Sequence, residues 1–214
     1  MIKTIYPIVI GLAFLASLVS FRYKLPRHLR LFSVLLGITF LVELFAVYGI
    51  KWFHLKNNLP LYNVFVLFEF SLYGIYYLYI VKPKAVRVFI KAFLLLYPVF
   101  WFVTVFYVFG GLHNWNSYIN VAGSLFTVTV SAAYYFQLFT APQLVRLSRH
   151  TEFWIATGMI LFYACNLPYV GTLNFLIKNY YLLAKQLLFV LQLLVITMYS
   201  IFLYAYLCQV AIRK

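Results

Sequence analysis

The stretches LFSVLLGITFLVELFAVYGI at residues 31–50 and LPLYNVFVLFEFSLYGIYYLYI at residues 59–80 decide the fold. Each is almost wholly apolar and has the length of about 20 residues that an α-helix needs to cross a bilayer. Each also contains one glutamate, Glu43 in the first and Glu69 in the second. A carboxylate inside an apolar helix is costly unless it is paired, hydrogen-bonded or protonated. We therefore predict membrane-spanning helices and treat both glutamates as candidate functional residues.

The composition of the whole chain is typical of an integral membrane protein. Of 214 residues, 66% are hydrophobic and 9% are charged, whereas soluble domains have roughly 45–50% and about 25%. The formal net charge is +14. Its basic residues cluster between the apolar segments, which is typical of loops that face anionic lipid headgroups. We expect the bilayer as a partner at this basic face, and no nucleic-acid partner.

Seven apolar segments are long enough to cross a membrane, at residues 2–21, 29–50, 59–81, 86–109, 117–140, 152–173 and 180–210. The connections between them are short, so neighbouring helices should be antiparallel. The segments are continuously apolar rather than alternating, which excludes a closed β-barrel. We predict an all-α fold, a polytopic seven-helix bundle that forms a single transmembrane domain over residues 1–214.

The distribution of lysine and arginine predicts the orientation of this bundle. Twelve basic residues follow the odd-numbered segments: Arg22, Lys24, Arg27, Arg30, Lys82, Lys84, Arg87, Lys91, Arg146, Arg149, Arg213 and Lys214. Five lie on the other side: Lys3, Lys51, Lys56, Lys178 and Lys185. The positive-inside rule then places the N-terminus outside and the C-terminus in the cytoplasm. We expect a multi-pass protein of the inner, cytoplasmic membrane.

A short motif recurs where three of the segments begin on the basic side. Residues 26–30, 83–87 and 142–146 all read Pro-x-x-[Leu/Val]-Arg. Proline suits the start of a helix, where its missing N–H costs nothing, and an arginine one turn later can extend to the headgroups. The motif is compatible with convergent helix starts, and also with three related helical hairpins followed by a seventh helix.

Glu43 and Glu69 are expected at similar depth. Each lies thirteen residues from residue 56, near the centre of the loop that joins their helices, and thus on the order of 10–13 Å below the helix ends. Three interpretations remain open. The carboxyl groups share a proton, or each makes an independent structural hydrogen bond as a protonated acid, or they form a site for a cation or a ligand amine. The structural interpretation is favoured.

Three further polar residues are candidates for the same site. Asn166 precedes Pro168, which removes a backbone hydrogen bond and could open the helix there. Asn63 lies one to two turns from Glu69 along its helix, and Lys185 lies near the start of the seventh segment. Lys185 either pairs with a glutamate or, the favoured interpretation, extends to the outer headgroups. We predict a binding site, or a proton or cation site, formed by Glu43, Glu69, Asn63, Asn166 and Lys185.

No motif for catalysis, a metal or a cofactor is present in the sequence. The histidines lie in or beside loops without metal-ligand spacing, at positions 28, 54, 113 and 150. Nucleophile motifs and phosphate-binding glycine loops are also absent from the sequence. We therefore expect no enzymatic activity, no metal and no cofactor.

The chain resembles a group of small bacterial seven-helix membrane proteins that have no established activity. The resemblance lies in LPRHL at residues 25–29, YNVF at 62–65, FEF at 68–70, and EFWIATG at 152–158 continuing into FY at 162–163. It implies a seven-helix fold in a bacterial inner membrane. It implies no substrate and no functional residue.

These observations favour one function and leave two alternatives. The first is a sensor or receptor-like subunit that recognises a small ligand or a membrane state in an outward-facing polar cavity. It would signal through a cytoplasmic partner or a second copy of itself, since the chain has no output domain. The alternatives are a proton- or cation-coupled transporter or channel, and a structural or assembly subunit of a membrane complex.

Overall fold

The computed structural model describes residues 2–49, 57–140 and 150–212, with side chains from residue 5 to residue 209 within these ranges. Seven helices in them are long and apolar enough to cross a membrane, and the described ranges contain no strand. The predicted all-α architecture with seven helices is thus confirmed. The helices are α1 (Ile2–Ser17), α2 (Arg27–Leu44), α3 (Leu59–Ile80), α4 (Lys84–Val103), α5 (Ser117–Phe139), α6 (Thr151–Asn179) and α7 (Tyr181–Ile212).

Several helix ends differ from the predicted bounds. After a turn at Leu18, α1 continues as a short helix, Val19–Arg22. Both α2 and α4 end in a π-helical turn, Phe45–Gly49 and Thr104–Val108. Such turns contain an extra residue and occur often at functional sites. Hydrophobicity does not distinguish a π turn from an α turn, so the sequence did not predict them.

Helix α6 runs for 29 residues and extends beyond the predicted end at residue 173, and Pro168 lies inside it. The backbone stays α-helical on both sides of the proline. Thr172 donates a side-chain hydrogen bond of 2.7 Å to the Pro168 carbonyl, which adds a contact one turn later. The expected opening of the helix at Pro168 is therefore not present in this structure.

Two of the three proline motifs lie where helices begin. Pro26 directly precedes α2 and Pro83 directly precedes α4, as the missing N–H of proline favours. The third motif, residues 142–146, lies outside the described residues. The origin of these hairpins by duplication stays a prediction.

Six of the seven helices form a closed ring. Going round it, the order is α1, α2, α3, α5, α6, α7 and back to α1. Helix α4 lies outside the ring against α3 and α5, and the buried residues in it are Ile90 and Tyr97. The other side chains of α4 are mostly apolar and exposed, as expected of a helix that faces lipid.

Close contacts show that α1 and α2 are antiparallel. Gly11 of α1 faces the ring of Phe40, and Gly37 of α2 faces the ring of Phe14. A Cβ atom at either glycine would lie 2.8 Å from the facing ring, so each glycine leaves the space that an aromatic side chain fills. Small residues at helix contacts are typical of membrane bundles, where packing rather than water exclusion drives association.

A layer of aromatic side chains fills the bundle in the half where α2, α4 and α6 begin, which we call the basic end. The aromatic layer consists of Phe32, Tyr73, Tyr76 and Phe202, and all four are buried. The Phe32 ring lies 5.1 Å from that of Phe202 and 5.2 Å from that of Tyr76, measured between centroids. Pairs at this spacing are favourable beyond the area they bury.

An ion pair joins two helix starts below this layer. His28 Nε2 at the start of α2 lies 2.7 Å from Glu152 Oε1 at the start of α6. Both side chains are mostly buried, at 16% and 19% exposed. Glu152 occupies the first turn of its helix, where an acid interacts favourably with the helix dipole. The sequence places Glu152 at the start of the sixth apolar segment but did not predict its histidine partner.

Replacement of Gly123 by alanine tests the packing of α5 on α3. A Cβ atom at position 123 would overlap the buried ring of Phe70, so we expect Gly123→Ala to lower the free energy of unfolding by about 1–3 kcal/mol. The matched control is Gly171→Ala in α6, where the nearest atom, Val121 Cγ2, lies 3.6 Å away. Thermal unfolding in detergent measures both, and equal stability of the two variants would contradict this packing.

Candidate functional site

Glu43 and Glu69 line the same cavity inside the ring of helices. This inner chamber has a volume of about 150 Å³. Glu43 reaches it from α2 and Glu69 from α3, so the predicted similar depth brings the two carboxyl groups to one space. The remaining wall comes from six helices and the end of one loop. Its apolar side chains include Ile10, Val66, Val195 and Met198, and its polar and aromatic ones include Thr39, Tyr62, Phe70, Trp115, Asn120, Ser124, Phe162, Tyr163, Asn166 and Tyr199.

A larger outer chamber adjoins the inner one, with a volume of about 360 Å³. The two chambers share six lining residues: Glu43, Tyr62, Trp115, Asn120, Asn166 and Val195. The outer chamber reaches Asn58 and Leu59, at the end of the bundle where α3, α5 and α7 begin. We call this the arginine-free end, because all seven arginines of the sequence belong to the basic side. Its walls there are mainly apolar side chains of α6 and α7.

The Glu69 carboxyl group is held by two tyrosines. Its Oε1 atom accepts hydrogen bonds from the hydroxyls of Tyr163, at 3.0 Å, and Tyr73, at 3.2 Å. The two hydroxyls lie 3.2 Å apart. Tyr73 lies one turn along α3, whereas Tyr163 comes from α6, so the contact joins two helices across the ring. The other oxygen, Oε2, accepts no hydrogen bond from the described residues.

The Glu43 carboxyl group has its own tyrosine donors. Its Oε2 atom accepts a hydrogen bond of 3.0 Å from the Tyr62 hydroxyl on α3. Tyr6 of α1 lies within hydrogen-bonding reach of the same group. The π turn Phe45–Gly49 begins two residues after Glu43. Glu43 therefore connects α2 to both of its neighbours in the ring.

Two buried polar atoms in the wall of this cavity have no hydrogen-bond partner in the part of the chain that the structure describes. They are Asn166 Oδ1, an acceptor, and Trp115 Nε1, a donor. Asn166 is only 8% exposed, and both residues line both chambers. A buried polar group without a partner costs about 1–3 kcal/mol. Both atoms belong to residues of the cavity wall, so this wall contains an acceptor and a donor that lack partners among the described residues.

Two of the predicted site residues do not line the cavity. Asn63 is turned toward the loop before α5, where its side-chain amide donates to the carbonyls of Leu112, at 2.7 Å, and Asn114, at 2.8 Å. Its position thus has a structural explanation, since it fixes that loop. Lys185 has an exposed side chain and lines neither chamber. Of the five predicted residues, the structure brings together Glu43, Glu69 and Asn166.

The tyrosines around the glutamates were not predicted as donors. The chain has 20 tyrosines, and the helices are apolar on nearly every side, so the sequence carries no signal for which hydroxyls point inward. Asn120 also lines both chambers, and its side chain donates to the Asn116 carbonyl at 2.9 Å. The single usable signal was the isolation of the two acids in apolar segments.

The charge of the cavity is opposite to that of the chain as a whole. Two glutamates line it, whereas none of the described residues that line either chamber is a lysine, an arginine or a histidine. The described residues contain no group of three or more metal-ligating side chains. The arrangement provides hydrogen-bond acceptors and negative charge, enclosed by aromatic rings.

Comparison with known proteins gives no relative for this chain. No protein-family model matches it, nor does any curated protein or any solved structure. The candidate site therefore stands on its own geometry.

Removal of the Tyr163 hydroxyl tests the hydrogen bonds around Glu69. We expect Tyr163→Phe to lower the free energy of unfolding by about 1–3 kcal/mol, because a buried carboxyl oxygen loses a hydrogen-bond donor. Tyr118→Phe is the matched control, since Tyr118 is 57% exposed. Thermal unfolding of both variants in the same detergent measures the difference in their stability. If Tyr163→Phe is as stable as Tyr118→Phe, the hydroxyl does not hold Glu69.

Proposed function

We propose that this chain is a receptor-like seven-helix membrane protein that binds a small molecule in the two-chamber cavity. The observation that supports this most is the presence of both interior glutamates on one cavity wall. Helix packing alone requires hydrogen bonds for these acids but no space beside them. An unfilled volume next to two costly carboxyl groups is instead what a binding site requires.

The size and lining of the cavity support a small-molecule ligand. Ligand pockets in proteins are usually about 300–1,000 Å³, with mainly apolar walls and a few convergent polar groups. The outer chamber of about 360 Å³ is within this range. Glu43, Glu69 and Asn166 are the convergent polar groups.

The orientation proposed for the chain places this cavity on the outer side of the membrane. The outer chamber reaches the arginine-free end, and the positive-inside rule assigns that end to the exterior. The aromatic layer lies between the inner chamber and the basic end. A ligand would thus enter from outside, and the aromatic layer would separate it from the cytoplasmic side.

A route for signalling connects the cavity to the basic end. Tyr73, which binds Glu69, stacks on Phe32 at 6.4 Å between ring centroids. Phe32 contacts Tyr76, whose ring lies 6.1 Å from that of His28, and His28 pairs with Glu152. A ligand that displaces Tyr73 would change this stack. A cytoplasmic partner at the basic face would then detect the change.

Transport is the second candidate function, and the helix irregularities favour it. The π turn after Glu43 and Pro168 within α6 are points where helices can bend. A transporter would also need a path through the aromatic layer, where all four side chains are buried. The receptor-like function needs no such path. A structural subunit receives less support, since its glutamates would need no cavity.

A ligand screen on the purified chain in lipid nanodiscs tests the receptor-like function. Small amines, acids, sugars and neutral alcohols are added, and the unfolding temperature is measured. A ligand at 100 times its Kd stabilises the folded state by about 2.7 kcal/mol, so at least one compound should raise that temperature. We expect Leu191→Trp, which fills the outer chamber, to remove the effect.

The matched control is Leu161→Trp, at an exposed leucine of α6 outside both chambers. It should keep the ligand-induced rise. The proposal fails if no compound stabilises the protein, or if stabilisation survives Leu191→Trp. Flux of the stabilising compound in proteoliposomes would favour the transporter instead.

A further inference from the structure

We propose that the cavity binds an amphipathic primary amine. Its ammonium group lies in the inner chamber between Glu43 and Glu69, and its apolar part occupies the outer chamber. This inference rests on the proposed function, because it names the ligand class of that same site. It is carried by the charge of the walls, the acceptors that lack donors, and the division of the cavity into two chambers.

The walls of the cavity select for positive charge. Two of the three glutamates of a chain with a net charge of +14 face this space, and among the described residues no basic side chain lines it to neutralise them. A buried carboxylate without a counter-ion is strongly unfavourable. A cationic ligand supplies that counter-ion, whereas an anionic ligand would add repulsion to the desolvation cost.

The hydrogen bonds around Glu69 fit an ionised carboxylate with one oxygen still available. Both tyrosine hydroxyls donate to Oε1, as expected for an acceptor that carries negative charge. Oε2 accepts nothing from the described residues, and Glu69 is partly exposed on the wall of the inner chamber. A donor inside the chamber would provide the hydrogen bond that Oε2 lacks.

Asn166 provides an independent indication of a ligand. Its side chain is more than nine-tenths buried and lines both chambers, yet Oδ1 has no donor among the described residues. Together with the carboxyl groups of Glu43 and Glu69, this makes three acceptor groups in the cavity wall. A primary ammonium carries three N–H donors. A quaternary ammonium carries none and would leave Glu69 Oε2 and Asn166 Oδ1 without a donor.

Aromatic rings complete the wall around the ammonium position. Phe70, Phe162, Tyr163 and Tyr199 all line the inner chamber. A cation over an aromatic face is attracted to the electron-rich face of the ring, and this attraction is strongest at desolvated sites. Metal ions prefer a shell of oxygen or nitrogen ligands instead. The combination of few acceptors and many rings fits an organic cation better than a metal.

The outer chamber fits the apolar part of such an amine. Between the shared residues and the arginine-free end, it is lined by Val170 and Leu173 of α6 and by Leu188 and Leu191 of α7. These side chains offer apolar contact and few hydrogen bonds. The head group therefore has one preferred chamber and the tail has the other.

Isothermal titration calorimetry of the full chain in nanodiscs tests the ligand class, with empty nanodiscs subtracted. The probes are phenethylamine, its neutral analogue 2-phenylethanol and its trimethylammonium analogue. We expect phenethylamine to bind about tenfold or more tightly than either analogue, since tenfold corresponds to about 1.4 kcal/mol, less than one charged hydrogen bond. Glu69→Gln should remove this preference and leave the binding of 2-phenylethanol unchanged.

Glu152→Gln is the matched control, because Glu152 pairs with His28 and lines neither chamber. It should keep the preference for the amine. Glu43→Gln and Asn166→Leu provide second and third variants if Glu69→Gln does not fold, and each should weaken phenethylamine selectively. The proposal is overturned if phenethylamine binds no more tightly than 2-phenylethanol, or if Glu69→Gln and Glu152→Gln behave alike.

The outcomes separate this inference from the function on which it rests. If 2-phenylethanol binds as tightly as phenethylamine and Leu191→Trp abolishes both, the cavity binds small molecules but does not select amines. If the trimethylammonium analogue binds best, the site selects cations by its aromatic wall, and the primary amine is wrong. If the broad ligand screen also finds nothing, the receptor-like function itself fails.

Discussion

The structure depends on how two carboxyl groups are accommodated inside an apolar bundle. Glu69 is stabilised in the interior by Tyr73 and Tyr163, whose hydroxyls donate to one of its carboxyl oxygens. Hydrogen bonds to a charged group contribute about 1.5–3 kcal/mol each, which offsets part of the desolvation cost. Because Tyr163 belongs to α6 and Glu69 to α3, the same contact fixes two helices on opposite sides of the cavity. The position of the cavity follows from this constraint.

The bundle is thereby divided into two halves with different properties. Toward the arginine-free end it contains the chambers and the glutamates. It also contains the polar atoms of Trp115 and Asn166 that have no partner among the described residues. Toward the basic end it is filled by the aromatic layer. The first half provides space and polar groups, and the second provides rigidity. This asymmetry supports a receptor-like function rather than transport, since a transporter needs a path through both halves.

The sequence predicted the helices well and the site in part. Continuous apolar runs define seven helices by length alone, and equal spacing from their common loop predicted a shared depth for Glu43 and Glu69. The rotation of each helix was not predictable, because α2 and α3 are apolar on nearly all sides. Asn63 therefore was expected in the cavity but contacts the loop before α5. The tyrosine donors and the π turns gave no signal for the same reason.

Thiol labelling at position 166 tests most directly whether the glutamates face an accessible cavity. With the two native cysteines, which are both free, replaced by serine, Asn166→Cys is treated with the small cationic reagent 2-aminoethyl methanethiosulfonate in nanodiscs. Ser33→Cys, at a buried site near Tyr206, is the control. The account predicts fast labelling at position 166, slowed by Glu69→Gln, and none at position 33. Equal protection of both cysteines would contradict it.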